Sequence, residues 1–429
     1  MLPVSRTEGD LYAIPKFGLE KGDVEGFTEE LRGFHEQFRD CFSRSEPREN
    51  FFLYMVGQFG PLERKSIEPI ALQVEDGKVR SMQRFVSDVV WDEAAMIKEY
   101  HVLVEEDMGD PNGVLIFDET GFLKKGDDSA GVARQYCGNI GKVDNCQVGV
   151  FAAYASRHGY ALLDQRLYIP EKWFADDYRA RRQKCNFPEN LEFKTKPQLA
   201  ADMFRELYAE GSLPFKYVVA DSIYGTSPDF IGAIEENVGI TYFVAVPSTT
   251  QCWLQGPSTE KRTITRKGEV QVKRVVPDTE TKPMEVAAFA KGLNDYFWYR
   301  RTVSEGTKGP IQYEFTKRRV TLSKDGVPYK TVWLVIKRTI AKKPEYSFYI
   351  SNAPVSTRLG SFVWLSGVRW AIEQCFEEAK TELGMDHYEV RKYPGWHHHM
   401  LTCILAHFFL WHLNIRLGKK STVHYAVAA

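Results

Sequence analysis

Apolar positions set the first element. Between residues 24 and 45, Phe27, Leu31, Phe34, Phe38, Cys41 and Phe42 recur at spacings of three and four, which predicts an amphipathic helix. Val79, Met82, Phe85, Val86 and Val89 repeat the pattern over 78–103, and Pro61 and Pro69 punctuate the stretch between. Together they predict a small helical domain over 1–108. It is followed by the turn-forming run MGDPNG at 108–113.

The period then shortens. The run VLIFD at 114–118 is apolar and ends in a carboxylate, and 134–137, 146–156 and 160–169 read as strands between Gly-containing turns. A helix is predicted over 197–210, with Leu199, Met203, Leu207 and Tyr208 along one face. YVVAD at 217–221 is a second buried-looking strand ending in a carboxylate, followed by a helix near 228–237 and a strand at 240–246. An antiparallel opening followed by crossover helices predicts a mixed sheet with helices on its faces. Residues 263–276, 296–303, 311–322, 331–338 and 347–351 predict a β-rich block, and 362–383 and 396–417 predict two closing helices.

Charge changes this picture. The chain of 429 residues has a net charge of −1, which taken whole argues against a nucleic-acid partner. By block, 1–250 holds 28 basic and 41 acidic residues, 251–365 holds 21 and 10, and 366–429 holds 7 and 6. The near-zero total is a cancellation between an acidic front and a strongly basic β-rich block. Composition otherwise excludes a largely disordered chain, and every apolar run falls short of a bilayer span. The first residues lack the basic start and apolar stretch of a signal peptide, and seven cysteines without a CxxC spacing fit a reducing cytoplasm.

Asp118 and Asp221 each close a strand-like run, and sites in such sheets favour strand ends. Alone, either is as readily a turn former. Placed together, two carboxylates repel unless a cation compensates, and Mg²⁺ with its oxygen ligands suits a phosphate substrate. On the helix at 366–383, Arg369, Glu373, Glu377 and Lys380 share one stripe, and Leu365, Val368, Ile372, Cys375, Ala379 and Leu383 share the opposite, packing stripe. Such a charged stripe by itself is an ordinary solvated face.

Combined, these residues resemble the DDE transposases of bacterial insertion sequences. The similarity is to the branch whose third acid lies in a Y-(2)-R-(3)-E-(6)-K signature after a β-rich insertion. The matching segments are VLIFDETGFLKKG with Asp118, YVVADSIYG with Asp221 and RWAIEQCFEEAK with Glu373, Arg369 and Lys380, with Ser366 at the tyrosine position. The likeness runs from ERKSIEPIA at 63–71 to GWHHHM at 395–400.

The resemblance implies an α/β fold: an RNase H-like mixed sheet with flanking helices, interrupted by a β-rich insertion and preceded by an all-α N-terminal domain. The division it implies is 1–108 (terminal-repeat recognition), 109–250 (first part of the catalytic core), 251–361 (basic insertion) and 362–429 (closing helices of the core). It implies that Asp118, Asp221 and Glu373 bind two Mg²⁺ ions, with Mn²⁺ as a substitute, for cleavage at element ends and strand transfer into target DNA. Arg369 and Lys380 would hold phosphates. Ser366 stands where that branch has a tyrosine that contacts a DNA phosphate, so the resemblance does not carry over that contact or the hairpin-forming step associated with it. The partners implied are terminal inverted repeats and target DNA, with a homodimer on the DNA and no membrane. Two alternatives keep the same fold: a domesticated DNA-binding regulator, and a nuclease without strand transfer.

Secondary signals follow. The basic block carries Lys261, Arg262, Arg266, Lys267, Lys273, Arg274, Arg300, Arg301, Lys317, Arg318 and Arg319, interleaved with Trp253, Tyr296, Trp298, Tyr299 and Trp333. Cations track phosphates and aromatics stack bases. By resemblance, Trp253 or Trp298 would hold a flipped base, although a single tryptophan is more often core. Lys124 and Lys125 follow the first acid and are candidates for the scissile strand. Arg179, Arg181, Arg182 and Lys184 form a short basic run. Arg64, Lys65, Lys78, Arg80 and Arg84 are candidates for one basic helical face in the N-terminal domain. His397, His398 and His399 point about 100° apart on a helix and cannot chelate one ion together, so packing is the expected role.

Overall fold

A computed structural model describes residues 26–266, 269–276, 282–306 and 309–418. Residues 1–25 of the predicted helical domain, and Lys267 of the basic block, lie outside the described residues. The described chain forms two compact units, one of 26–216 with 369–418 and one of 217–368. These units cut across the four-part division drawn from the sequence.

The first unit opens with helices α1 (Phe27–Glu36), α2 (Ser45–Phe59), α3 (Ile67–Gln73), α4 (Val79–Ser87) and α5 (Glu93–Met108). The stripe predicted over 24–45 is shorter as a helix. It ends at Glu36, and a tight turn at Arg39–Cys41 carries Phe38, Cys41 and Phe42 into the core. The pattern over 78–103 is also two helices. Asp92 interrupts it because its carboxylate accepts from the Ala95 N–H at 2.9 Å and caps α5. Phe42, Phe51, Phe85 and Trp91 cluster at the break, with the Phe85 and Trp91 rings stacked 6.0 Å apart.

Four strands follow: β1 (Val114–Leu123), β2 (Ala133–Cys137), β3 (Lys142–Ala155) and β4 (Tyr160–Tyr168). β3 pairs antiparallel with β1, β2 and β4, with Asp118 opposite Phe151 and Thr120 opposite Gly149. Helix α6 (Lys196–Glu210) packs on β3 and β4. Its start is a capping box between Thr195 and Gln198 with Pro197 in the first turn, and Gly211 ends it at φ 68°.

The second unit holds a mixed sheet. β5 (Tyr217–Ala220) runs parallel to β6 (Thr241–Val246), joined through α7 (Pro228–Glu235). The further strands are β7 (Gln251–Trp253), β8 (Glu260–Arg266), β9 (Glu269–Val275), β10 (Met284–Glu285), β11 (Tyr299–Gly306), β12 (Gly309–Lys324), β13 (Val327–Thr339) and β14 (Tyr346–Ser351). β6 pairs antiparallel with β14, then β13 and β12 follow, and β12 carries β7 and β11. Residues 217–250 are therefore continuous with the β-rich block. The β-rich segment 263–276 falls in a separate antiparallel pair, β8 with β9. Helix α8 (Leu359–Val368) packs Phe362 against Phe243 and Trp333.

The chain returns to the first unit with α9 (Trp370–Leu383) and α10 (Tyr393–Gly418). The predicted helix at 362–383 is thus two helices that meet at Arg369. α9 packs on β1, β3 and β4, and ends at Gly384 in the left-handed region, φ 69°. α10 is buried on most sides by α2, α4, α5 and β4, which explains its nearly continuous apolar sequence. No helix among the described residues is long and apolar enough to cross a membrane.

Candidate active site

Asp118 is not the end of its strand. β1 runs on to Leu123, so Asp118, Thr120 and Phe122 alternate onto one face. Asp118 is 13% exposed at its side chain, and its Oδ1 accepts from the Glu119 N–H at 2.9 Å. Its Oδ2 accepts from Arg369 Nη1 at 2.7 Å. The same guanidinium donates through Nη2 to Glu373 Oε1 at 2.5 Å. Arg369 is 30% exposed and stands at the junction of α8 and α9, with Glu373 one turn into α9. One cation thus bridges two acids from different elements.

Lys380 lies two turns beyond Glu373 on α9. Its Nζ donates to Thr120 Oγ1 at 2.7 Å and sits 5.3 Å from the centre of the Phe122 ring. Burial pulls the Lys380 ammonium down to about 8, against the opposing charge of Asp386. Thr120 in turn donates to Asn139 Oδ1 at 2.9 Å. Thr120 and Asn139 were not singled out in the sequence; the signal for Thr120 was its position two residues after Asp118. The packing stripe of α9 is as predicted, with Ile372, Cys375, Ala379 and Leu383 buried. Burial pushes the Cys375 thiol up, so it is inert.

The second aspartate belongs to the other unit. Asp221 directly follows β5, and its carboxylate accepts the Ser222 N–H and caps a one-turn helix, Ser222–Gly225. That helix packs tightly, since a Cβ on Gly225 would stand 2.0 Å from the Ala245 carbonyl oxygen. Ser366 donates to the Val363 carbonyl of its own helix at 2.7 Å.

The remaining candidates separate into engaged and exposed groups. Lys124 donates to the Tyr388 carbonyl at 3.1 Å and lies 3.3 Å from the centre of that ring, and burial lowers its pKa to about 7. Lys125 is exposed. Trp253 and Trp298 are only 4% and 8% exposed, packed into the β-rich sheet, so neither indole offers an open face to an extruded base. Arg318 is exposed, over Phe297 at 5.6 Å; Arg319 lies over Trp333 and donates to the Thr331 carbonyl at 3.1 Å.

Several basic residues are internal ties. Lys65 is buried, with its Nζ on the carbonyls of Gln58 and Glu382, so it does not join an exposed face with Lys78, Arg80 and Arg84. Arg182 holds the carbonyls of Trp173 and Ala175, whereas Lys184 stays exposed, in a surface pair with Asp128 at 3.3 Å.

Of the three consecutive histidines, His397 packs its ring on Tyr393 and Trp396, and the other two take separate polar partners. His398 reaches Val86 and Glu93, and His399 reaches Tyr54 and Met385. Burial lowers His397 to about 4 and His399 to about 3, so both are neutral packing groups at pH 7. Among the described residues no group of three or more His, Cys, Asp or Glu side chains is arranged around one ion position.

Comparison with known proteins adds an independent line. The model of the family described as DDE superfamily endonuclease matches residues 37–310. The match contains Asp118 and Asp221 but ends before Arg369, Glu373 and Lys380. A probable transposase for insertion sequence element IS701 from Microchaete diplosiphon is 25% identical over 364 residues, covering 83% of this chain and 80% of that protein. A solved piggyBac transposase synaptic complex with hairpin DNA aligns at a TM-score of 0.43 and 10% identity, over 90% of this chain and 69% of that one.

Proposed function

We propose, from the premise that this chain belongs to the DDE superfamily endonucleases, that it is the transposase of an insertion sequence, cutting DNA at the element's ends and joining those ends to target DNA. The observation that carries the reading is the pairing of Asp118 with Glu373 through one guanidinium. Two acids distant in sequence converge where a cation already sits, and the family match independently spans the first of them.

The donor set fits a hard divalent ion. Asp118 and Glu373 offer carboxylate oxygens only, and Mg²⁺ is commonly held by one or two carboxylates plus substrate phosphate. Asp221 is the third acid of the proposed set, and Mn²⁺ would substitute for Mg²⁺ at such ligands. When bound, two such ions supply an activated water or 3′-hydroxyl and stabilise the leaving oxygen. The chain's own residues do the rest. Lys380, held by Thr120 at the same strand face, places a cation for a phosphate, and the exposed Arg318 extends basic surface along the β-rich unit. The core is proposed to be RNase H-like, 1–108 to read the terminal inverted repeats, and the working form to be a cytoplasmic homodimer on DNA.

The test uses Asp118→Asn, Asp221→Asn and Glu373→Gln with labelled end DNA and Mg²⁺. Cleavage falls to background in each while gel-shift binding persists. Wild-type cleavage by any one variant removes that residue from the site. Strand transfer by pre-cut ends distinguishes a transposase from a plain nuclease, and uncut but tightly bound DNA identifies a regulator.

A further inference from the structure

Arg369 is placed oddly for a residue whose only task is to grip DNA. Both of its terminal nitrogens are on the acids, at 2.7 Å from Asp118 and 2.5 Å from Glu373. A guanidinium fork usually takes both oxygens of one carboxylate or phosphate. Here it is split between two carboxylates, one on β1 and one on α9. Asp118 has no oxygen without a donor: Oδ1 holds the Glu119 N–H and Oδ2 holds Arg369. A divalent ion reaching the pair meets a positive charge already seated between its ligands. The arrangement is partly buried, so the repulsion is less screened than at an open surface.

We infer that Arg369 exchanges partners: it is the counter-cation of Asp118 and Glu373 in the metal-free chain, and metal loading releases its fork to a DNA phosphate. This rests on the acid-site reading above and adds an order of events to it. Until the metal arrives, Arg369 keeps two like charges together at one place and withholds its own charge from DNA. Once released, it stands one turn from Glu373 with both nitrogens available for a phosphate. The coupling is reciprocal: metal tightens DNA binding, and DNA tightens metal binding by the same factor.

The experiment measures Mn²⁺ binding to the full chain without DNA, by electron paramagnetic resonance titration, and DNA affinity with and without Mn²⁺. Arg369→Gln binds Mn²⁺ about tenfold more tightly than wild type, the size of a modest coupling energy. Arg369→Lys keeps the charge but cannot fork two acids, so it also binds more tightly than wild type. If charge alone opposed the metal, Arg369→Lys would match wild type, and the exchange would be overturned. In wild type Mn²⁺ raises DNA affinity, and in Arg369→Gln that rise shrinks; an undiminished rise also overturns it. If Arg369→Gln does not fold, by circular dichroism, Arg369→Lys alone decides. Asp118→Asn separates the two ideas. Wild-type Mn²⁺ binding there removes the acid site and the exchange with it. Lost Mn²⁺ binding there, with unchanged affinity in both Arg369 variants, removes the exchange and leaves the acid site standing.

Discussion

Around β1 and α9, cations are directed at acids, hydroxyls and carbonyls. Arg369 holds Asp118 and Glu373, Lys380 holds Thr120, and Lys196 holds Glu119 at 3.0 Å. On β12 and β13 cations lie over aromatic rings, as Lys380 and Lys124 do over Phe122 and Tyr388, but not every one of them is turned inward. Lys317 sits 4.2 Å from the centre of Trp333, Arg338 sits 4.1 Å from Trp298, and Arg318 and Arg319 lie over Phe297 and Trp333. The difference separates two uses of positive charge. In the first region each cation has a specific polar partner and is partly desolvated. In the second, some cations are fastened inside and others face solvent, so the +11 balance of 251–365 overstates what a phosphate can meet. Lys317 donates to the Thr357 carbonyl, and Arg338 is tied to Asp295 and Glu314. Arg318 remains exposed.

The largest effect is expected where exposed cations are removed. The double variant Arg318→Ala with Arg319→Ala lowers the slope of log K against log salt by up to about 2, and affinity at 0.1 M salt by up to about a hundredfold. Arg318→Ala alone accounts for the larger share, since Arg319 is also held by Thr331. Fluorescence anisotropy across a salt series checks this, and an unchanged slope places the DNA on another face.

A smaller effect tests the first region. The Lys380 ammonium, drawn down to about 8 by burial, is half deprotonated near that pH in the free chain. A phosphate neighbour raises its pKa, so binding takes up a proton at alkaline pH. Affinity therefore falls as pH rises above 8, by up to about tenfold per unit. Lys380→Arg stays charged and flattens the profile between pH 7 and 9.5. A flat wild-type profile means that Lys380 does not face a phosphate.

How much of this was legible depended on the range of the interaction. Helix α6 was readable because Thr195, Pro197 and Gly211 are local start and stop signals. The histidine triplet was readable because a 100° step forbids shared chelation. Helix α2 was not, because Phe51, Phe52, Tyr54 and Met55 are buried on several sides and leave no 3.6-residue stripe. The break at Arg369 was hidden because Arg369 keeps helical backbone angles, φ −54° and ψ −29°, so the phase from Val368 to Ile372 hardly shifts. Spacing put Arg369 and Glu373 one turn apart, but the partner 251 residues away on β1 is a tertiary fact. Trp253 and Trp298 were read as candidate stacking surfaces; their burial depends on strands such as β12, whose Thr321 pairs with Trp253, and no local pattern reports that.

Arg338 provides the smallest and most discriminating test. It is a cation of the basic block, yet its side chain is only 15% exposed. Burial opposes its charge, but hydrogen bonds to Asp295 and Glu314 outweigh this and hold its pKa above the usual value. Its guanidinium reaches Glu314 at 2.8 Å and Asp295 at 2.9 Å while covering the Trp298 ring. Arg338→Met keeps an apolar stem over Trp298 and removes the charge, leaving Glu314, among the described residues, with the more distant Arg300 at 3.8 Å. Stability falls by about 2 kcal/mol in urea denaturation, chiefly because a partly buried carboxylate loses its donor. The salt slope of DNA binding stays at the wild-type value, because this cation was never presented to a phosphate. A slope reduced by about 1, as for Arg318→Ala, would show that engagement inside the sheet does not withhold a cation from DNA, and the distinction between the two uses of charge would fail.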